Sequence, residues 1–83
     1  MKPMIVENAV LDPQTAWMLL LDAMETGHWR VVREQAEDLR EWIELGGRPP
    51  ALSPKATNEA WNRQVVLFAC KLAELIARRR LRW

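Results

Sequence analysis

Few side chains in this 83-residue sequence could do chemistry, and His28 is its only histidine. The motif Glu25-x-x-His28 places a carboxylate and an imidazole at the spacing that di-iron helical bundles use to hold metal. Gly27 lies inside the motif and is predicted to end the helix, and a second Glu-x-x-His is absent. We therefore interpret His28 as a histidine at a helix end, and the sequence predicts neither a metal site nor a cofactor.

Nucleophilic chemistry is also poorly supported. The single cysteine, Cys70, lies in the apolar run VVLFACKLAELI, where a buried thiol is more common than a reactive one. Ser53 is interpreted as a helix cap, and the run GGRPP lacks the lysine and hydroxyl residue of a phosphate-binding loop. The sequence predicts no catalytic residues and a protein that is not an enzyme.

The C-terminal tail is the most prominent charged feature. In one reading, its cations bind phosphates and its indole stacks on a base. In a second, the cations lie at the C-terminal end of a helix because the helix dipole is favourable to positive charge there. In a third, they pair with acidic residues of a partner subunit. We rank self-association first, nucleic acid second and an anionic membrane surface third. The tail consists of Arg78, Arg79, Arg80, Arg82 and Trp83.

Charge is unevenly divided along the chain. Residues 1–50 carry five basic and nine acidic side chains, whereas residues 51–83 carry seven basic and two acidic ones. Such halves should attract each other, within one chain or between chains.

The N-terminal run lacks the pattern of a signal peptide, and no apolar stretch approaches the ~20 residues of a transmembrane segment. We expect a cytoplasmic protein.

Capping and breaking residues predict one domain, with an N-terminal extension at 1–11 before three helices. Helix one, at about 13–26, follows Asp12 as its N-cap and ends at Gly27. It is apolar on nearly every side, which predicts a position in the middle of the packing. Helix two, at about 28–45, ends at a Gly-Gly pair. Its apolar residues form one stripe: Trp29, Val32, Ala36, Leu39 and Ile43.

Helix three is predicted to start after Ser53 and to span about 54–81, roughly 40 Å. The predicted fold is all-α, a three-helix domain in which the hairpin of helices one and two packs on this longer helix and leaves part of it uncovered. We predict that the uncovered part forms an antiparallel homodimer, with a strip of alanines that allows close approach. The alternative is a bend near Arg63 or Lys71 that wraps helix three around its own core. The predicted dimer interface is Phe68, Ala69, Leu72, Ala73, Leu75 and Ile76.

The hairpin at 16–45 resembles a single tetratricopeptide unit. Trp17-x-x-Leu20 is similar to the opening of that repeat, and Gly27-x-Trp29 is similar to its turn, although no second copy follows. The pattern A-E-D-L-x-x-W followed by G-G-x-P-P also resembles short uncharacterised helical proteins of bacteria and phages. These resemblances imply a helical hairpin of bacterial or phage origin and carry no known activity with them.

These observations together predict a small non-enzymatic interaction module. It is expected to self-associate through helix three and to bind a protein partner that the sequence does not identify. The alternative is an accessory protein that binds nucleic acid through the C-terminal Arg/Trp tail.

Overall fold

The computed structural model describes residues 12–55 and 57–82, and every regular element within these ranges is a helix. The elements are α1 (Pro13–Thr26), α2 (Trp29–Glu44) and α3 (Glu59–Leu81). The predicted all-α fold, with a hairpin of α1 and α2 packed on a longer α3, is confirmed. The N-terminal extension and Trp83 lie outside the described residues.

The residues that bound α1 are those that the sequence indicated. The carboxylate of Asp12 accepts the backbone N–H of Gln14 at 3.1 Å and the hydroxyl of Thr15 at 2.7 Å. Pro13 takes the first helical position, where no backbone N–H is needed. Gly27 ends the helix at a φ of 77°, in the left-handed region that favours glycine.

The central helix is α2, which packs against α1 and against α3. The prediction that helix one lies in the middle was wrong. Although α1 is apolar on most sides, only one of its faces meets a neighbour, because α3 packs mainly on α2. The exposed apolar residues of α1 are Met18, Leu19 and Leu21. The predicted stripe of α2 is confirmed, since four of its five members are fully buried: Val32, Ala36, Leu39 and Ile43.

A turn built around Trp42 ends α2. The N–H of Gly46 bonds to the carbonyl of Ile43 at 3.0 Å, and the N–H of Gly47 bonds to that of Trp42 at 2.8 Å. The indole N–H of Trp42 donates to the carbonyl of Arg48 at 2.9 Å, and the ring lies directly over Gly47. The Gly-Gly pair therefore ends α2, and the indole of Trp42 packs on the turn that follows and bonds to it.

The third helix begins at Glu59, later than the predicted start at residue 54, and Ser53 does not cap it. The cap is Asn58, whose side-chain oxygen accepts the backbone N–H of Trp61 at 3.0 Å. Ahead of it, the N–H of Thr57 bonds to the carbonyl two residues earlier, which a helix does not allow. From Glu59 to Leu81, α3 is one uninterrupted α-helix, with no break near Arg63 or Lys71.

Side-chain contacts fix the orientation of α3 against α2. Glu74 is only 5% exposed and accepts both Nε and Nη2 of Arg40, the second at 3.2 Å. Near the other end of the contact, Arg63 donates to the carbonyl of Ile43 at 2.9 Å. Between these two contacts, the face of α3 that meets α2 is built mainly from small side chains. Its buried residues are Asn62, Val66, Cys70, Ala73, Glu74 and Ala77.

Candidate functional site

A row of large apolar side chains runs along the side of α3 that faces away from α2. Successive members are separated alternately by four and three residues. This alternation repeats every seven residues and aligns the side chains in one line, as in helices that pair as coiled coils. The row consists of Trp61, Val65, Phe68, Leu72 and Leu75, and we call it the α3 seam.

The α3 seam is largely in contact with solvent. The exposed fraction is 63% for Trp61, 71% for Phe68, 46% for Leu72 and 51% for Leu75, and Val65 is half-buried. An aromatic side chain carries ~150–250 Å² of surface, so the two aromatic residues expose roughly 200–340 Å² between them. A continuous apolar surface of this kind typically marks an interface.

Only some of the residues predicted to form the dimer interface are exposed in the structure. Ala73 is fully buried against α2 and cannot contact a second copy, so its inclusion was wrong. The alanine strip belongs mainly to the contact within the chain, because small side chains allow two helix backbones to approach closely. Ala69 and Ile76 are half-buried at the edge of the α3 seam. The remaining predicted members lie on the α3 seam itself: Phe68, Leu72 and Leu75.

Two seam residues, Trp61 and Val65, were missing from the predicted interface. The prediction placed the uncovered part of helix three beyond the end of the hairpin. In the structure the exposed apolar surface extends along most of α3, because the helix turns its small residues toward α2. The alternating spacing of four and three places both residues in the same row as Phe68, Leu72 and Leu75, which were already predicted to lie in the interface.

Two arginines of the tail have partners within the chain. The guanidinium carbon of Arg80 lies 5.2 Å from the ring centroid of Trp29, the geometry of a cation–π contact. A guanidinium nitrogen of Arg78 lies 4.0 Å from a carboxylate oxygen of Glu74. Both side chains remain exposed, so these contacts direct part of the tail toward the helical core without burying its charge.

The other two arginines, Arg79 and Arg82, are exposed, and within residues 12–55 and 57–82 neither forms an ion pair. Trp83, which was predicted to stack on a base, lies outside the described residues. Arg79 follows Leu75 by four residues and therefore occupies the next position along the line of the α3 seam.

The residues of the candidate metal motif belong to different elements. Glu25 lies in α1, whereas His28 follows the helix-ending Gly27 and precedes the first residue of α2. His28 is exposed, and its Nδ1 lies 2.6 Å from the hydroxyl oxygen of Thr26. The i, i+3 geometry of a helical metal ligand pair is therefore not formed here.

Cys70 is fully buried on the side of α3 that meets α2. Burial raises the pKa of its thiol to about 12. A thiol with such a pKa stays protonated at neutral pH and is a poor nucleophile. The interpretation of Cys70 as a buried structural residue is confirmed.

The exposed side of α2 carries a concentration of carboxylates: Glu34, Glu37, Asp38, Glu41 and Glu44. Partial burial raises the pKa of Asp38, and the neighbouring carboxylates of Glu41, Glu34 and Glu37 raise it further. Arg40, one of three arginines of α2, is directed to Glu44 and to the buried Glu74. This surface is negative, opposite in sign to the C-terminal tail.

No group of three or more histidine, cysteine or acidic side chains in the described part of the chain is arranged to hold a metal ion. Among the helices of that part, none has the length and apolar character needed to cross a bilayer. Comparison of the chain with protein-family models, with curated proteins and with solved structures found no match.

Proposed function

We propose that this protein is a small non-enzymatic interaction module that self-associates as a homodimer through the α3 seam. The observation that carries the proposal is the seam itself, in which four large apolar side chains are exposed opposite the face that meets α2. Full burial of a Leu or Phe side chain contributes ~1.5–3 kcal/mol relative to exposure. A second copy offers an identical seam, so a two-fold symmetric pairing covers both at once.

The exposed area indicates a dimer of moderate affinity. Trp61 and Phe68 of two copies supply roughly 400–700 Å², whereas small specific interfaces bury about 1,200 Å² in total. The leucines of the α3 seam and the aliphatic stem of Lys71 add to the aromatic contribution. Association must also offset the lost freedom of two molecules. We therefore expect a dissociation constant on the order of 1–100 µM.

Light scattering over a concentration series tests the dimer. The wild-type mass should rise from that of the 9.7 kDa chain toward twice this value. Phe68→Ala combined with Leu72→Ala should keep the protein monomeric, with helix content by circular dichroism unchanged because both side chains point away from the core.

The matched control is Leu45→Ala, because Leu45 is 82% exposed and lies outside α3. This variant should dimerise like the wild type. A wild type that remains at the monomer mass at about 1 mM would contradict the proposal, since the affinity would then lie below the range expected for such an interface. Equal dissociation of the Leu45 variant and the seam variant would assign the association to a different surface.

The alternative function is nucleic-acid binding through the tail, which the exposure of Arg79 and Arg82 favours. An electrophoretic shift measured over a salt series tests it, because each phosphate contact contributes about −0.9 to the slope of log K against log salt. Arg79→Gln with Arg82→Gln should reduce both the affinity and the slope. Arg30→Gln with Lys55→Gln removes two exposed cations elsewhere and is the control. Binding that survives the tail variant would exclude the tail as the site.

A further inference from the structure

We propose that the two α3 helices pair antiparallel, in a register that places Arg79 of one copy against Trp61 of the other. The inference rests on the homodimer proposed above. It keeps the antiparallel orientation expected from the sequence and adds the register and the contact that sets it. Three features of α3 support it: the position of its charges, the length of the α3 seam and an aromatic contact already present in the chain.

The position of the charges disfavours a parallel pair. In a parallel dimer the arginine-rich ends of both copies would lie side by side, and Arg79 would face Arg79 across the α3 seam. In the proposed antiparallel register the two copies of Arg79 lie 18 residues apart along the axis, ~27 Å. That distance exceeds three Debye lengths at physiological salt, ~8 Å each.

The length of the α3 seam selects one antiparallel register. When Trp61 lies opposite Arg79, Val65 lies opposite Leu75 and Phe68 lies opposite Leu72, so every apolar residue of the row is covered. A shift of seven residues in one direction leaves Trp61 beyond the end of the other helix. A shift in the opposite direction leaves Leu75 uncovered.

Like charges meet at one point in this register, where the two copies of Lys71 flank the two-fold axis. Lys71 is exposed, and its long stem lets the ammonium group turn toward water. The contact between Arg79 and Trp61 is favourable because a guanidinium is attracted to the face of an indole ring. The chain already uses this contact internally, between Arg80 and Trp29.

Disulfide trapping between two single-cysteine variants, Val65→Cys and Leu75→Cys, tests the orientation. The variants are mixed, oxidised mildly and resolved by mass spectrometry, which distinguishes the 65–65, 65–75 and 75–75 products. In the proposed register the 65–75 product should dominate, because identical positions lie ~15 Å apart along the axis, too far for a disulfide. The native Cys70 is buried and does not compete. The same pair of variants in a Cys70→Ala background, oxidised in guanidinium where no native thiol competes, gives the statistical distribution for comparison.

A substitution series tests the register. Arg79→Ala should raise the dissociation constant of the dimer about 5- to 30-fold, because two symmetric cation–π contacts are lost. Arg30→Ala removes an exposed arginine of α2 and should leave the constant unchanged.

The possible outcomes separate this inference from the function on which it rests. Predominant 65–65 and 75–75 products in a protein of dimer mass would overturn the antiparallel orientation and leave the homodimer intact. A dominant 65–75 product with an unchanged constant for Arg79→Ala would overturn the contact with Trp61. A wild type that stays monomeric, whether free or bound to vesicles of phosphatidylglycerol, would overturn the homodimer and the inference together.

Discussion

Replacing Gly47 by alanine should destabilise the protein by about 2–4 kcal/mol, because the new methyl group collides with Trp42. A Cβ at this position would lie 2.3 Å from Cε2 and 2.5 Å from Cδ2 and Nε1 of the indole. Gly47 does not have a positive φ, so backbone strain is not the cause. The ring is also held in place by its hydrogen bond to the carbonyl of Arg48, at 2.9 Å. Overpacking costs ~1–3 kcal/mol, and loss of that bond adds ~0.5–1.5 kcal/mol.

Urea unfolding measures the effect, at one fixed protein concentration because the proposed dimerisation would make stability depend on concentration. Gly46→Ala is the matched control: its Cβ would meet nothing within 4 Å, and its φ of 98° gives a cost of ~1–2 kcal/mol from strain alone. In a Trp42→Leu background, Gly47→Ala should cost less than about 1 kcal/mol, because the clashing ring is gone. An equal cost of Gly47→Ala with and without the indole would refute the clash as the cause.

Three further predictions concern the core and the first helix cap. Arg40→Leu should destabilise the chain by about 1–3 kcal/mol, because it removes the main ionic partner of the buried Glu74. In the same unfolding assay, the double variant Arg40→Leu with Glu74→Leu should recover most of this loss. The hydrogen bond from Thr15 lowers the pKa of Asp12 from its ordinary value of 3.8, so the stability from this cap is present above about pH 4 and is lost as pH falls through the folded pKa. The difference in stability between wild type and Thr15→Val should therefore be larger at pH 7 than at pH 2, and an equal difference at both would contradict this assignment. Because burial raises the pKa of the Cys70 thiol to about 12, a thiol reagent at pH 8 should react with it in guanidinium and hardly at all in the folded protein; rapid reaction without denaturant would show that the thiol is accessible.

Much of the secondary structure follows from short-range features of the sequence. Asp12 and Gly27 bound α1 at the predicted residues, and α2 agrees with its predicted span to within one residue at each end. These features act over four or five residues, so their effect does not depend on distant parts of the chain. The buried stripe of α2 was also predictable, because its apolar residues form a single row against an otherwise charged helix.

The start of α3 required the tertiary structure. Ser53 and Asn58 are both suitable N-caps, and local sequence does not choose between them. In the folded chain, the side chain of Gln14 on α1 donates to the carbonyl of Ala51 and accepts its N–H, at 3.3 Å and 3.0 Å. This contact, made between residues far apart in sequence, anchors the loop at Ala51. Beyond it, the N–H of Thr57 bonds to the carbonyl of Lys55 at 3.0 Å, so the chain is not helical there and Asn58 begins the helix.

The face that α3 turns outward was also decided by tertiary packing. The helix carries two apolar rows, one of large and one of small side chains, and periodicity alone does not show which of them meets α2. The small row allows the two backbones to approach closely, and it carries Glu74 to Arg40. Arg63 completes the contact at the end of α2. Because these groups must face α2, the large side chains of the α3 seam are left in solvent, where they form the surface proposed for self-association.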